Sequence, residues 1–143
     1  MSTYARKSKL TVFILTTFMK EREALIKNYI DGYNQFDINK MVSDLDEDIV
    51  FENVTNGEMN MSFTGLKAFR EQAEQAKYIF SERTQTIKSF VHQNDETEII
   101  IEYRAILAMD LPNGLRKGDE LNLRGKSIFK FLGEKIIRLT DIS

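Results

Sequence analysis

The chain has 143 residues, 42% hydrophobic and 29% charged, with a net charge of −2. That is enough for one domain with a single core, and it lacks the strongly basic character needed to bind a nucleic-acid backbone. With no cysteine and one histidine, disulfides, thiolate chemistry and a histidine-based zinc site are excluded, and any catalysis must use carboxylates, tyrosines, hydroxyls, amides or lysines.

The N-terminal "ARKSK" and "LTVFILTTFM" look like the basic and apolar parts of a secretory signal, but "KEREAL" follows with no small-residue cleavage site. The apolar run is also too short to span a bilayer. Met19 is therefore read as a natural start. Residues 1–18 become an upstream extension, residues 19–143 the domain, and the cytoplasm the expected location.

Residues 21–36 carry Leu25, Ile26, Tyr29, Ile30 and Tyr33 at helical spacing. Asp37 is a good N-cap for a second helix over 38–45, with Ile38, Met41, Val42 and Leu45 on one side. The acidic run Asp44, Asp46, Glu47 and Asp48 lacks the spacing and glycine of a calcium loop, so it reads as a solvated helix end. "DIVFENV" reads as a strand, Asn56-Gly57 as a two-residue hairpin turn, and Met59, Met61 and Phe63 as the alternating face of the return strand. A third helix over 65–80 carries Leu66, Phe69, Ala73, Ala76 and Phe80 in one stripe.

From Thr84 the period changes to two. Strands are predicted over 84–93, 98–111, 121–132 and 135–142. Helices followed by a strand meander predict an α+β fold with helices on one face of an antiparallel sheet. Ile100, Ile106 and Ile128 fall on the outer face among Glu102, Arg104, Lys126, Lys130 and Arg138. A wholly solvated face has no need of these isoleucines, so a homodimer packed through it is expected.

Tyr29 and Tyr33 on a first helix, "NQFDINKMVSDLDEDIVFEN" leading into the first strand, "FTGLKAFREQ" opening the third helix and the closing "SIFKFLGEKIIRLTDIS" together resemble the nuclear transport factor 2-like superfamily. Within it the SnoaL-like and ketosteroid-isomerase-like branch is most similar. The resemblance covers about residues 21–143. It implies a cone, in which a curved antiparallel sheet wraps around three helices and encloses a mostly apolar pocket. It also implies a small apolar or carbonyl-bearing ligand, homodimers, and isomerase, cyclase or dehydratase chemistry with no metal and no cofactor. Non-catalytic binding modules share the fold, so fold alone does not fix function.

The resemblance sets Asn53 at the position of the family's aspartate base, Tyr29 at its oxyanion-binding tyrosine and Ser127 at its protonated aspartate. A neutral amide cannot take a proton from carbon, so a different acid is needed. In the last strand Asp141 shares a face with Ile137 and Leu139. If that face points inward, Asp141 enters the cone, where an apolar setting raises a carboxyl pKa. The expected catalytic residues are Asp141 and Tyr29. Asn53 and Ser127 are expected as polar positioners, and Phe51, Met61, Tyr103 and Phe129 as the ligand-binding wall. Glu52 and His92 are expected at the surface.

Overall fold

The computed structural model describes the backbone of residues 2–143 and the side chains from residue 9 onward. Three helices, α1 (Ser2–Asn34), α2 (Ile38–Val42) and α3 (Leu66–Lys77), pack on a curved six-stranded sheet. The strands are β1 (Leu45–Thr55), β2 (Glu58–Thr64), β3 (Phe80–Gln93), β4 (Glu96–Leu107), β5 (Glu120–Leu132) and β6 (Lys135–Ile142).

α1 buries Ile26, Tyr29 and Ile30, the middle of the predicted stripe. It begins at Ser2 rather than near residue 21, because no glycine or proline interrupts the chain before Gly32. Thr16 and Thr17 also donate their hydroxyls to the carbonyls of Val12 and Phe13, at 2.8 and 3.1 Å, so they do not compete with the helix. Leu10, Val12, Phe13, Leu15 and Phe18 on this stretch are exposed.

The chain leaves α1 through Phe36 in the left-handed region (φ 56°). The Asp37 side chain then accepts from the Lys40 N–H at 3.1 Å, as the capping pattern predicts. At Gly32 the two helices touch: a Cβ there would stand 2.7 Å from the Met41 backbone nitrogen. α2 stops at Val42, three residues early, and Leu45 already opens β1. The acidic run thus lies largely on a strand, not at a helix end, with Glu47 and Asp48 exposed.

The sheet order is β2-β1-β6-β5-β4-β3. Asn56 and Gly57 take positive φ (53° and 79°) and join β1 to β2 as predicted. The β3–β4, β4–β5 and β5–β6 pairs are antiparallel. β1 and β6 pair in parallel, so the sheet is mixed, not purely antiparallel. Consecutive strands announce their pairing through the turns between them. A pair this distant in the chain has no local signature.

Three further boundaries moved. α3 ends at Lys77 and β3 starts at Phe80, four residues before the predicted strand. Its first buried residues are Arg83 and Gln85, so apolar alternation could not reveal them. β4 ends at Leu107, not 111, where the Leu107 N–H bonds to the Asp119 carbonyl at 3.0 Å and the chain enters a loop. The core between helices and sheet holds Ile26, Ile49, Ile99, Phe129, Ile136 and Leu139, all fully buried. On the opposite face Ile100, Ile106 and Ile128 are half-buried among charges such as the Arg104–Glu120 pair at 2.6 Å. Among the described residues no helix is long and apolar enough to cross a membrane.

Candidate functional site

Side chains directly opposite one another on neighbouring strands share a face. Asp141 on β6 is opposite Asn53 on β1 and also opposite Ser127 on β5. The row continues to Met61 on β2 and Ile99 on β4. Pairing register therefore gathers three polar residues, distant in sequence, into one line across the inner face.

Beside this row lies a cavity of about 350 Å³. Tyr29 and Tyr33 enter it from α1, Phe69 and Ala73 from α3, Phe51 and Asn53 from β1, Met61 and Phe63 from β2, and Asp141 from β6. Phe51, Phe63 and Phe69 form a mutually contacting cluster with ring centroids 5.1 to 6.1 Å apart. A second cavity of about 210 Å³ shares Tyr33, Asn53 and Asp141 with the first and adds Tyr103 and Gln85. A larger hollow, about 580 Å³, lies over β3, β4 and β5 among Thr84, Thr86, Glu102, Arg104 and Arg124. It is the weaker candidate, because Arg104 is exposed and already paired with Glu120 and Glu82 and Asp141 is not part of it.

The Ser127 hydroxyl donates to Asp141 Oδ1 at 2.6 Å. Burial pushes the Asp141 carboxyl up to about 6, against the opposing pull of that hydrogen bond. The Tyr29 ring packs edge-on against Phe129 (5.7 Å) and Phe69 (6.3 Å). Burial, and after it the charge of Asp141, hold the Tyr29 phenol well above its ordinary pKa. Tyr29 is thus a hydrogen-bond donor at any working pH, and among the described residues its hydroxyl has no hydrogen-bond partner. The Tyr33 and Tyr103 hydroxyls bond each other at 2.8 Å.

The predicted residues are placed unequally. Tyr29, Asp141, Asn53, Phe51 and Met61 line the main cavity. Tyr103 lines only the second. Ser127 reaches the cavity through Asp141, and Phe129, fully buried, supports Tyr29 from behind. Asn53 turns its amide to Asn60 Oδ1 at 2.8 Å rather than to Asp141. Glu52 is less exposed than expected, 15% at its side chain, and accepts from the Thr140 hydroxyl at 3.1 Å. His92 is not a surface residue either. It joins Thr97 Oγ1 (2.8 Å) to Glu23 (2.9 Å) and ties β3 to α1, away from the cavity. Among the described residues no three His, Asp or Glu side chains converge as metal ligands.

Sequence reasoning missed Arg83. It lines the main cavity and is 3% exposed. Its Nε donates to the Tyr33 carbonyl at 2.9 Å, and its guanidinium lies 3.8 Å from the Tyr33 ring centroid and 4.4 Å from that of Phe36. The available signal was the two-residue period of β3 carried backwards from Ile87 through 85 to 83.

The chain matches no curated protein. Among solved structures, IdmH of Streptomyces antibioticus, provisionally described as a polyketide cyclase, superposes with a TM-score of 0.70 at 11% identity, over 84% of this chain and 89% of that one. AclR of Streptomyces galilaeus, provisionally described as a hydroxylase, gives 0.69 at 17% identity, over 86% and 88%. A nuclear transport factor 2-like protein of unknown function from Burkholderia pseudomallei gives 0.66 at 10% identity, over 85% and 88%. At such identities the likeness is one of fold. The sequence profile of the SnoaL-like domain matches residues 26–139, from the buried face of α1 to the middle of β6, and the chain belongs to that family, within the nuclear transport factor 2-like superfamily.

Proposed function

We propose that this protein binds a small apolar, carbonyl-bearing molecule in the cavity beside Asp141 and moves a proton on it without a cofactor. The observation that carries this reading is a carboxyl raised to about 6 in a cavity walled by Phe51, Phe63 and Phe69, with Tyr29 free to donate. A raised carboxyl beside an unengaged tyrosine suits proton transfer better than a purely binding module, whose polar groups would satisfy one another.

Ionised Asp141 takes the proton from a carbon next to the carbonyl, and the electron pair moves onto the carbonyl oxygen. Tyr29 donates a hydrogen bond to that oxygen as its charge develops. Ser127 holds the carboxylate by its other side. Return of the proton to another carbon is isomerisation, and attack of the enolate on a second carbonyl is cyclisation. A homodimer belongs to the same reading: a second copy on the outer face would bury Ile100, Ile106 and Ile128. Sedimentation showing only monomer at micromolar concentration removes that part.

The test of the site is ligand-free first. The Asp141 carboxyl, followed by NMR, is expected to titrate near 6; an ordinary value near 4 ends the proposal. Exchange of the α-protons of 2-tetralone in D2O then reads the chemistry. The rate is expected to rise as pH passes about 6 and Asp141 ionises, and to fall about 100-fold or more in Asp141→Asn.

A further inference from the structure

Arg83 is a charge that the proton-transfer reading does not use. A guanidinium stays protonated throughout the accessible pH range, so it cannot escape burial by losing its charge. Buried cations are normally matched by a carboxylate. Among the described residues none lies within ion-pair distance of Arg83, and its Nη2 is buried with no hydrogen-bond partner. Two residues along the same strand face, Gln85 Oε1 is also buried without a partner. At these two positions the inner face of β3 is polar, where the opposing walls are aromatic.

The guanidinium is also held in place. The Tyr33 carbonyl fixes Nε, and two aromatic rings cover its face. A fixed planar fork with an unpartnered donor, at the wall of a cavity, is the arrangement that recognises a planar anion.

We propose that Arg83 anchors a carboxylate of the ligand, so that the molecule bound is a compact aromatic or alicyclic carboxylic acid with its apolar body against Phe51, Phe63 and Phe69. A phosphate fits less well. Its second charge would need further cations, and among the described residues no lysine or other arginine lines this cavity, which Asp141 already makes more negative. The inference rests on the cavity being a ligand site, and it names the chemistry of that ligand.

The test compares 2-naphthoate with its neutral isostere 2-naphthamide by isothermal titration at pH 7.5. The unmodified protein is expected to bind 2-naphthoate at least about tenfold more tightly, the scale of one charge-assisted pair. Arg83→Gln should abolish the preference while 2-naphthamide still binds, and Arg83→Lys should keep part of it. Equal affinities in the unmodified protein, or an undiminished preference in Arg83→Gln, overturn the inference and leave the cavity reading intact. Binding of neither probe overturns both. Should Arg83→Gln fail to fold, the guanidinium NMR signals of the unmodified protein decide. They should shift with 2-naphthoate and not with 2-naphthamide, and signals indifferent to both probes overturn the inference.

Discussion

On one side of the cavity Asn53, Asp141 and Ser127 stand in a row across β1, β6 and β5; on the other stands Arg83 on β3, with Gln85 two residues along the same strand at the second cavity. Both sides bury a charge, and they accommodate it in opposite ways. Asp141 can take up a proton, and burial has moved its pKa to about 6, where both forms are accessible. Arg83 cannot lose its proton, so its charge is held permanently by a carbonyl and two ring faces. A group that changes charge near neutrality suits moving a proton, and one that never changes suits holding an anion.

The largest effect is expected from Phe129→Ala. Phe129 is fully buried, two residues from Ser127 on the same face of β5, and supports Tyr29 edge-on at 5.7 Å. Truncating it should cost about 3–5 kcal/mol in urea denaturation. It should also let water toward the acid row, so the Asp141 pKa should fall toward its ordinary value. A small loss with an unmoved Asp141 would mean that the row does not depend on the packing behind it.

Asp141→Asn sharpens the contrast in charge. A carboxyl carried from 3.8 to about 6 disfavours the folded state by at most about 3 kcal/mol once it is fully ionised. The sign follows from proton uptake. Between those values the folded protein binds the proton more tightly than the unfolded chain, so stability declines as pH rises from about 4 to about 6 and is level above. Asparagine removes that decline. The variant should therefore match the parent protein below pH 4 and exceed it at pH 7.5, with the gap opening between. Arg83→Gln should differ from the parent by the same amount at every pH in that range. A constant gap for Asp141→Asn would place its carboxyl in solvent and erase the distinction between the two walls.

The two walls also differed in how far they could be read from sequence. Tyr29, Asn53 and Ser127 were reached through the family resemblance, and Asp141 through the two-residue period of the last strand. The assembly of Asn53, Asp141 and Ser127 into one row was not legible, because it depends on the parallel β1–β6 pair and on register, which no local pattern encodes. Arg83 was missed because strand recognition relies on apolar alternation, and here the alternating inward residues are an arginine and a glutamine. The helices were found by their stripes, while the length of α1 was not, since nothing in residues 2–20 breaks a helix.

The smallest effect is expected at Asn53, where the resemblance sets an aspartate and this chain has an amide. Asn53 is partly exposed, borders both cavities and donates to Asn60 Oδ1 at 2.8 Å, with Asp141 opposite it on β6. Asn53→Asp removes that donor and points a carboxylate at an acceptor. Asn60 can reverse its amide and donate instead, at the expense of its own 3.1 Å bond to Thr55 Oγ1. The exchange of one hydrogen bond should cost about 1 kcal/mol. The second contribution is electrostatic. Two carboxyls on neighbouring strands titrate as a pair, one proton being held more tightly than either group alone would hold it. The total loss should grow to about 1–2 kcal/mol as pH rises through that upper value, and adding Asp141→Asn should remove the pH-dependent part. A larger loss that persists in the double variant would mean that Asn53 is sealed in the core, away from the cavity. A loss with no pH dependence would mean that the two positions do not share one electrostatic environment, and that the row across β1, β6 and β5 is a pairing of backbones only.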